Sequence, residues 1–197
     1  MRLGLLSVVI ASALAGAACG TSGPKVALIG DSITGLSRER LSAGLGDEYT
    51  VEVMGKFGAR SDEIIAEVKV IAASHPSAAV INIGTNDALQ RVPAEQTKAS
   101  VQEILDLLDD VGCRYLVEIN NGITDLLTGD SRADEARAIN AELDALAREN
   151  PGVKVVEWNA AIAEHGGVSA VMYDTVHLSE KGQSLLAETY QEALSNC

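Results

Sequence analysis

Five short apolar runs, each rich in valine and isoleucine and each followed by a stretch with helical apolar spacing, limit this chain more than any other feature. The runs are VALIG (26–30), YTVEVMG (49–55), AAVINIG (78–84), CRYLVEIN (113–120) and VKVVEW (153–158). They are mostly apolar on both faces, as strands inside a parallel sheet must be. Helical spacing fills 35–45, 61–74, 94–111, 132–149 and 179–195, and Ser61 and Ser179 stand where helix starts are expected. Strict alternation of strand and helix requires right-handed crossovers and helices on both faces of the sheet. The expected fold is therefore α/β, a three-layer α/β/α sandwich with a five-stranded parallel sheet and flavodoxin-like winding. With 197 residues, 47% hydrophobic and 22% charged, the chain suits one domain with a sizeable core.

The first residues stand apart from this pattern. Met1-Arg2 is a minimal positive start, LGLLSVVIASALA an uncharged apolar stretch, and small residues follow up to Cys19. Residues 1–18 thus read as an export signal, 19–24 as a short tether and 25–197 as the domain. LAGAAC resembles a bacterial lipoprotein signal, in which the cysteine becomes lipidated, although Gly16 stands where that pattern usually has leucine. Cleavage after Ala17 or Ala18 satisfies the small-residue rule as well. The expected location is outside the cytoplasm: anchored to the cell envelope through a lipidated Cys19, or else periplasmic or secreted. With Cys19 lipidated, Cys113 and Cys197 are left as a disulfide pair. A net charge of −13 repels phosphate, which argues against nucleic acid and anionic membrane surfaces as partners.

In sheets of this kind ligands bind beyond the carboxyl ends of the strands. Gly30-Asp31-Ser32 follows the first strand, Gly55-Lys56-Phe57-Gly58-Ala59-Arg60 the second and Gly84-Thr85-Asn86-Asp87 the third, while Tyr173 to Leu178 precede the last helix. These residue types complement one another. A serine hydroxyl becomes a nucleophile when an imidazole takes its proton, and the imidazole needs a carboxylate to fix its tautomer. Ser32, His177 and Asp174 supply the three groups. The N–H groups of Ser32 and Gly58 and the side-chain amide of Asn86 supply donors for an oxyanion. Asp31 is expected to support the turn by hydrogen bonding, His75 and His165 to lie at a helix end and in a loop, and Trp158 to pack at a strand end.

GDS at 30–32, the glycine of FGARSDE at 58, GTND at 84–87 and DTVHLSEKG at 174–182 resemble, in order, the four motif blocks of the SGNH hydrolases, also called GDSL-like esterases. Ile33 stands where the family name has leucine. The resemblance implies an SGNH winding with Ser32 as nucleophile, His177 as base and then acid, Asp174 orienting it, and Ser32, Gly58 and Asn86 as the oxyanion hole. It implies no metal and no cofactor. The expected activity is cleavage of carboxylic esters, with small acyl groups such as acetyl favoured by the short segments 87–93 and 121–131. The substrate would be a small molecule or a glycan-borne ester; a long lipid chain would need an apolar groove from Ile123, Leu126 and Leu127.

Other readings are weighed against this one. An O-acyltransferase acting on an envelope glycan or glycolipid shares the acyl-enzyme, and INAELDALARENPGVKVVEWNAAIAE resembles the SGNH portions attached to membrane acyltransferases. A silent carbohydrate- or lipid-binding lipoprotein keeps the fold without turnover. A metal-dependent phosphoesterase would draw on Asp31, Asp87, Asp174 and His177, though no second histidine stands near them in the sequence. The α/β-hydrolase elbow is absent, because residue 34 is threonine where that pattern needs glycine.

Overall fold

The computed structural model describes residues 23–197, so the signal read over 1–18, Cys19 and most of the tether lie outside the described residues. Five parallel strands form the sheet: β1 (Lys25–Gly30), β2 (Thr50–Gly55), β3 (Ala78–Asn82), β4 (Cys113–Val117) and β5 (Val153–Val156). Their order is β2-β1-β3-β4-β5, so the winding reverses between β1 and β3. The helices are α1 (Ser32–Leu36), α2 (Arg38–Leu45), α3 (Ile65–Ala72), α4 (Thr85–Leu89), α5 (Ala94–Leu107), α6 (Ala133–Glu149), α7 (Trp158–Glu164), α8 (Val168–Val171) and α9 (Glu180–Ser195).

Alternation along the strands divides the core in two. Ala27 and Ile29 of β1 face a layer with Val68 of α3, Ile104 and Leu105 of α5, and Ile139 and Leu143 of α6. Val26 and Leu28 face the opposite layer with Leu41 of α2, Ile162 of α7, and Leu186 and Tyr190 of α9. Each fully buried valine, leucine or isoleucine among these contributes roughly 1.5–3 kcal/mol, which is why strands apolar on both faces end in the middle of a sandwich. The expected architecture is the one observed.

Boundaries differ where chemistry cuts the apolar pattern short. The segment expected as one helix over 35–45 is two, α1 beginning earlier at Ser32 and α2 following Ser37. The run at 153–158 stops at Val156, because Glu157 caps α7 and Trp158 is that helix's buried first residue. Ser61 opens a short 3-10 turn (Ser61–Glu63) ahead of α3. Ser179 caps α9 as expected, its hydroxyl accepting from the Gly182 N–H at 3.2 Å. Cys113 at the start of β4 and Cys197 beyond α9 form a disulfide, with Cα atoms 5.9 Å apart. No helix among the described residues is long and apolar enough to cross a membrane.

Candidate active site

β1 ends on Gly30, and only a glycine fits there: a Cβ would lie 2.4 Å from the Asn82 carbonyl oxygen and 2.2 Å from Thr34 Oγ1. The chain then turns into α1 beside the winding reversal. Asp31 is the cap of this helix, its Oδ1 accepting from the Ile33 N–H at 2.8 Å. Because Asp31 takes the capping role, the Ser32 hydroxyl is left for other work. Ser32 is 8% exposed, and its Oγ lies 3.2 Å from His177 Nε2.

His177 and Asp174 come from the loop before α9. His177 Nδ1 lies 3.0 Å from Asp174 Oδ2, while Asp174 Oδ1 accepts from the N–H groups of Val176 at 2.7 Å and His177 at 2.6 Å. Partial burial pushes the Asp174 carboxyl up, but the His177 backbone N–H, the His177 ring and the Val176 N–H together outweigh it and hold the group below its usual range. The loop is closed on itself by Tyr173 N–H donating to the His177 carbonyl at 2.8 Å and Ser179 N–H to that of Val171 at 3.0 Å. It is also tied sideways: Asn120 Nδ2 donates to the Thr175 carbonyl at 3.2 Å, and the hydroxyls of Thr124 and Thr175 meet at 2.7 Å.

The N–H donors come from the ends of three strands, Ser32 after β1, Gly58 after β2 and Asn86 after β3. Gly58 has φ +72°, a conformation that suits glycine, and its exposed N–H has no acceptor among the described residues. Ser32 opens α1, so its N–H has no partner within the helix. Asn86 in α4 donates through Nδ2 to the Ala59 carbonyl at 3.0 Å and to Asp31 Oδ2 at 3.2 Å, joining the ends of β1, β2 and β3. Asp87, expected as a turn residue, is a buried anchor. It accepts from Ser61 N–H at 2.9 Å, Ser61 Oγ at 2.6 Å and Thr97 Oγ1 at 3.1 Å, and so fixes the segment that carries Gly58.

The structure thus brings Ser32, His177, Asp174, Gly58 and Asn86 to one rim and leaves His75 and His165 elsewhere, both exposed. Sequence reasoning missed Ser61, Thr97, Asn120, Thr124 and Thr175, whose bonds span loops and follow no spacing. The phosphoesterase ligand set does not assemble: among the described residues no three His, Cys, Asp or Glu side chains gather to hold an ion. Asp31 and Asp87 instead spend their oxygens on N–H and O–H donors. Nor do Ile123, Leu126 and Leu127 build a groove, since Ile123 is buried in the core and both leucines face solvent. Two surface grooves lie away from this chemistry. One of about 470 Å³ runs between β5, α7 and α9, another of about 480 Å³ is lined by Arg60, Asp87, Gln90 and Gln96, and neither takes in Ser32, Asp174 or His177.

The fold and the motif-bearing strand ends define an acylhydrolase class, and comparison with known proteins agrees. The model of the GDSL-like Lipase/Acylhydrolase family matches residues 28–185, and the chain belongs to that family. A member of the lipolytic G-D-S-L family from Veillonella parvula superposes with a TM-score of 0.73 at 21% identity, covering 88% of this chain and 99% of that one. A lipase/acylhydrolase from Enterococcus faecalis gives 0.76 at 16% identity, over 88% and 96%. An acetylxylan esterase from Geobacillus stearothermophilus gives 0.66 at 19% identity, over 88% and 94%. No curated protein matches the sequence.

Proposed function

We propose that the protein is an esterase that cleaves small acyl groups such as acetyl from an alcohol or sugar through an acyl-enzyme on Ser32. In this reading His177 Nε2 takes the Ser32 proton as Oγ attacks the ester carbonyl. The oxyanion is met by the N–H groups of Ser32 and Gly58 and the Asn86 amide. Nε2 then hands its proton to the departing alkoxide, and the ester C–O bond breaks. Water attacks the acyl-enzyme as His177 Nε2 takes its proton; the acyl bond to Ser32 Oγ then breaks, Nε2 returns the proton to Oγ, and the carboxylic acid departs. Asp174 holds Nδ1–H throughout and stabilises the transient imidazolium.

The observation that carries this reading is the relay from Ser32 Oγ to His177 Nε2 at 3.2 Å and from His177 Nδ1 to Asp174 at 3.0 Å, built from segments 145 residues apart. The short rim loops, and the likeness in fold to an acetylxylan esterase, favour a small acyl group. A fluorophosphonate should label Ser32 in the folded protein, and a chromogenic acetyl ester should give a burst of alcohol matching the enzyme concentration, both absent in Ser32→Ala. A folded, unlabelled Ser32 together with undiminished turnover in Ser32→Ala overturns the proposal. Labelling with no turnover of any ester returns the binding-protein reading, and transfer of acyl to an added glycan the acyltransferase one.

The same proposal places the protein outside the cytoplasm, anchored through Cys19. The Cys113–Cys197 disulfide supports an oxidising compartment. In cell fractions the parent should travel with membranes and Cys19→Ser with the soluble fraction; a parent that stays soluble rejects the anchor.

A further inference from the structure

The acyl-transfer scheme makes no use of Asp31, yet this carboxyl is fully buried one residue from the nucleophile. Its oxygens meet only neutral donors, the Ile33 N–H at 2.8 Å and Asn86 Nδ2 at 3.2 Å. Burial pushes the group up to about 7, opposed by the Ile33 N–H and the His177 ring and reinforced by Asp87; the Tyr190 phenol is the other titratable group that feels it. A neutral asparagine or serine caps a helix as well as aspartate does. Capping alone therefore does not account for an ionisable group kept where charge is costly.

Asn86 supplies the reason. Its amide has two N–H groups, and both are engaged, one with the Ala59 carbonyl and one with Asp31. Above about pH 7 the ionised carboxylate only accepts, so it admits the NH2 side of the amide and rejects the oxygen. Resting on the acyl-transfer reading above, we propose that Asp31 is a positioning residue for the oxyanion hole: it holds the Asn86 amide with an N–H facing Ser32's side of the site, and that N–H is shared with the oxyanion during acyl transfer. No bond to hydrogen breaks; the donor widens its contact from one anion to another. With asparagine at 31, Oδ1 stays on the Ile33 N–H and its NH2 faces Asn86 Nδ2; the two donors repel, and the Asn86 amide, left with the Ala59 carbonyl alone, is displaced from its place toward the oxyanion.

The test compares the parent with Asp31→Asn, Asn86→Ala and the double variant, using a short-chain chromogenic ester and denaturation midpoints at pH 5 and pH 8. Loss of one oxyanion donor costs roughly 10²–10³-fold in turnover. Asp31→Asn should lose about 10²-fold in kcat with KM within about twofold, and the double variant should be no slower than Asn86→Ala alone. At pH 8 the midpoint of Asp31→Asn should equal or exceed that of the parent, because a buried charge is gone. A merely structural cap, which asparagine fills as well, predicts kcat intact in Asp31→Asn, and that result overturns the proposal. Losses that multiply in the double variant overturn it as well. Asp31→Ser, which keeps a capping oxygen, serves as a second acidless variant should the first fail to fold. Labelled Ser32 with an unaffected Asp31→Asn rejects the role of Asp31 alone; an inert Ser32 rejects the underlying chemistry.

Discussion

Two carboxylates on the rim that carries Ser32 pull stability in opposite directions with pH. Asp174 is held below its usual range, so its contribution is present at neutral pH and is lost as pH falls through the lowered value. Asp31 is raised from 3.8 to about 7, so the folded chain holds its proton where the unfolded chain has released it. Stability from that proton is complete below about 3.8 and disappears as pH rises to about 7. Within that window the loss is bounded at about 1.4 kcal/mol per pH unit. Stability measured against pH should therefore decline between about 4 and 7 in the parent and decline less in Asp31→Asn, the two curves parting as pH rises. Coincident curves would show that Asp31 titrates alike folded and unfolded.

Among the elements, the turn after β2 bears most directly on turnover. Gly58 holds a positive φ that a side chain strains by roughly 1–2 kcal/mol, and no atom lies within 4 Å of where its Cβ would stand. Gly58→Ala should thus cost stability by about that amount through backbone strain and not collision, and turn the freed N–H away from Ser32. The expected result is a kcat loss of about 10-fold or more with a modest fall in melting temperature, read by ester kinetics and calorimetry. Unchanged kcat would exclude the Gly58 N–H from the oxyanion hole. The elements themselves were legible to different degrees. β1 and β3 were readable because burial on both faces leaves an almost wholly apolar run, and the edge strands β2 and β5 because valines flank the single charges Glu52 and Lys154. α4, α7 and α8, of five, seven and four residues, are too short for an apolar period to declare itself. At the site, Ser32, Gly58, Asn86, Asp174 and His177 stood out because each follows a strand or precedes a helix. The anchors Ser61 and Thr97 on Asp87, and Thr124 on Thr175, did not, since contacts across 26, 10 and 51 residues depend on how loops fold back.

At the scale of the molecule, α9 is a strut between two ends of the sandwich. Ser179 fixes its start just after His177, and Tyr115 Oη donating to the Ala193 carbonyl at 2.6 Å, Lys154 Nζ donating to that of Asn196 at 2.7 Å and the disulfide fix its finish. The disulfide closes a loop of 84 residues, and the chain-entropy account assigns such a crosslink about 4–5 kcal/mol, an upper bound when the unfolded chain is compact. A Cys113→Ser, Cys197→Ser double variant should melt several degrees lower than the parent, with initial rates at 25 °C nearly the same. Equal melting temperatures would mean that the hydrogen bonds alone pin the helix.

The tail fastened in this way also decides where the protein endures. Molecules that mature among oxidants keep the final helix sewn to the sheet, and with it the seat of the imidazole. Molecules held among reductants carry Ser32, Asp174 and His177 in the same places on a chain that heat or proteases should undo sooner. Longevity, more than activity, is what the surroundings set.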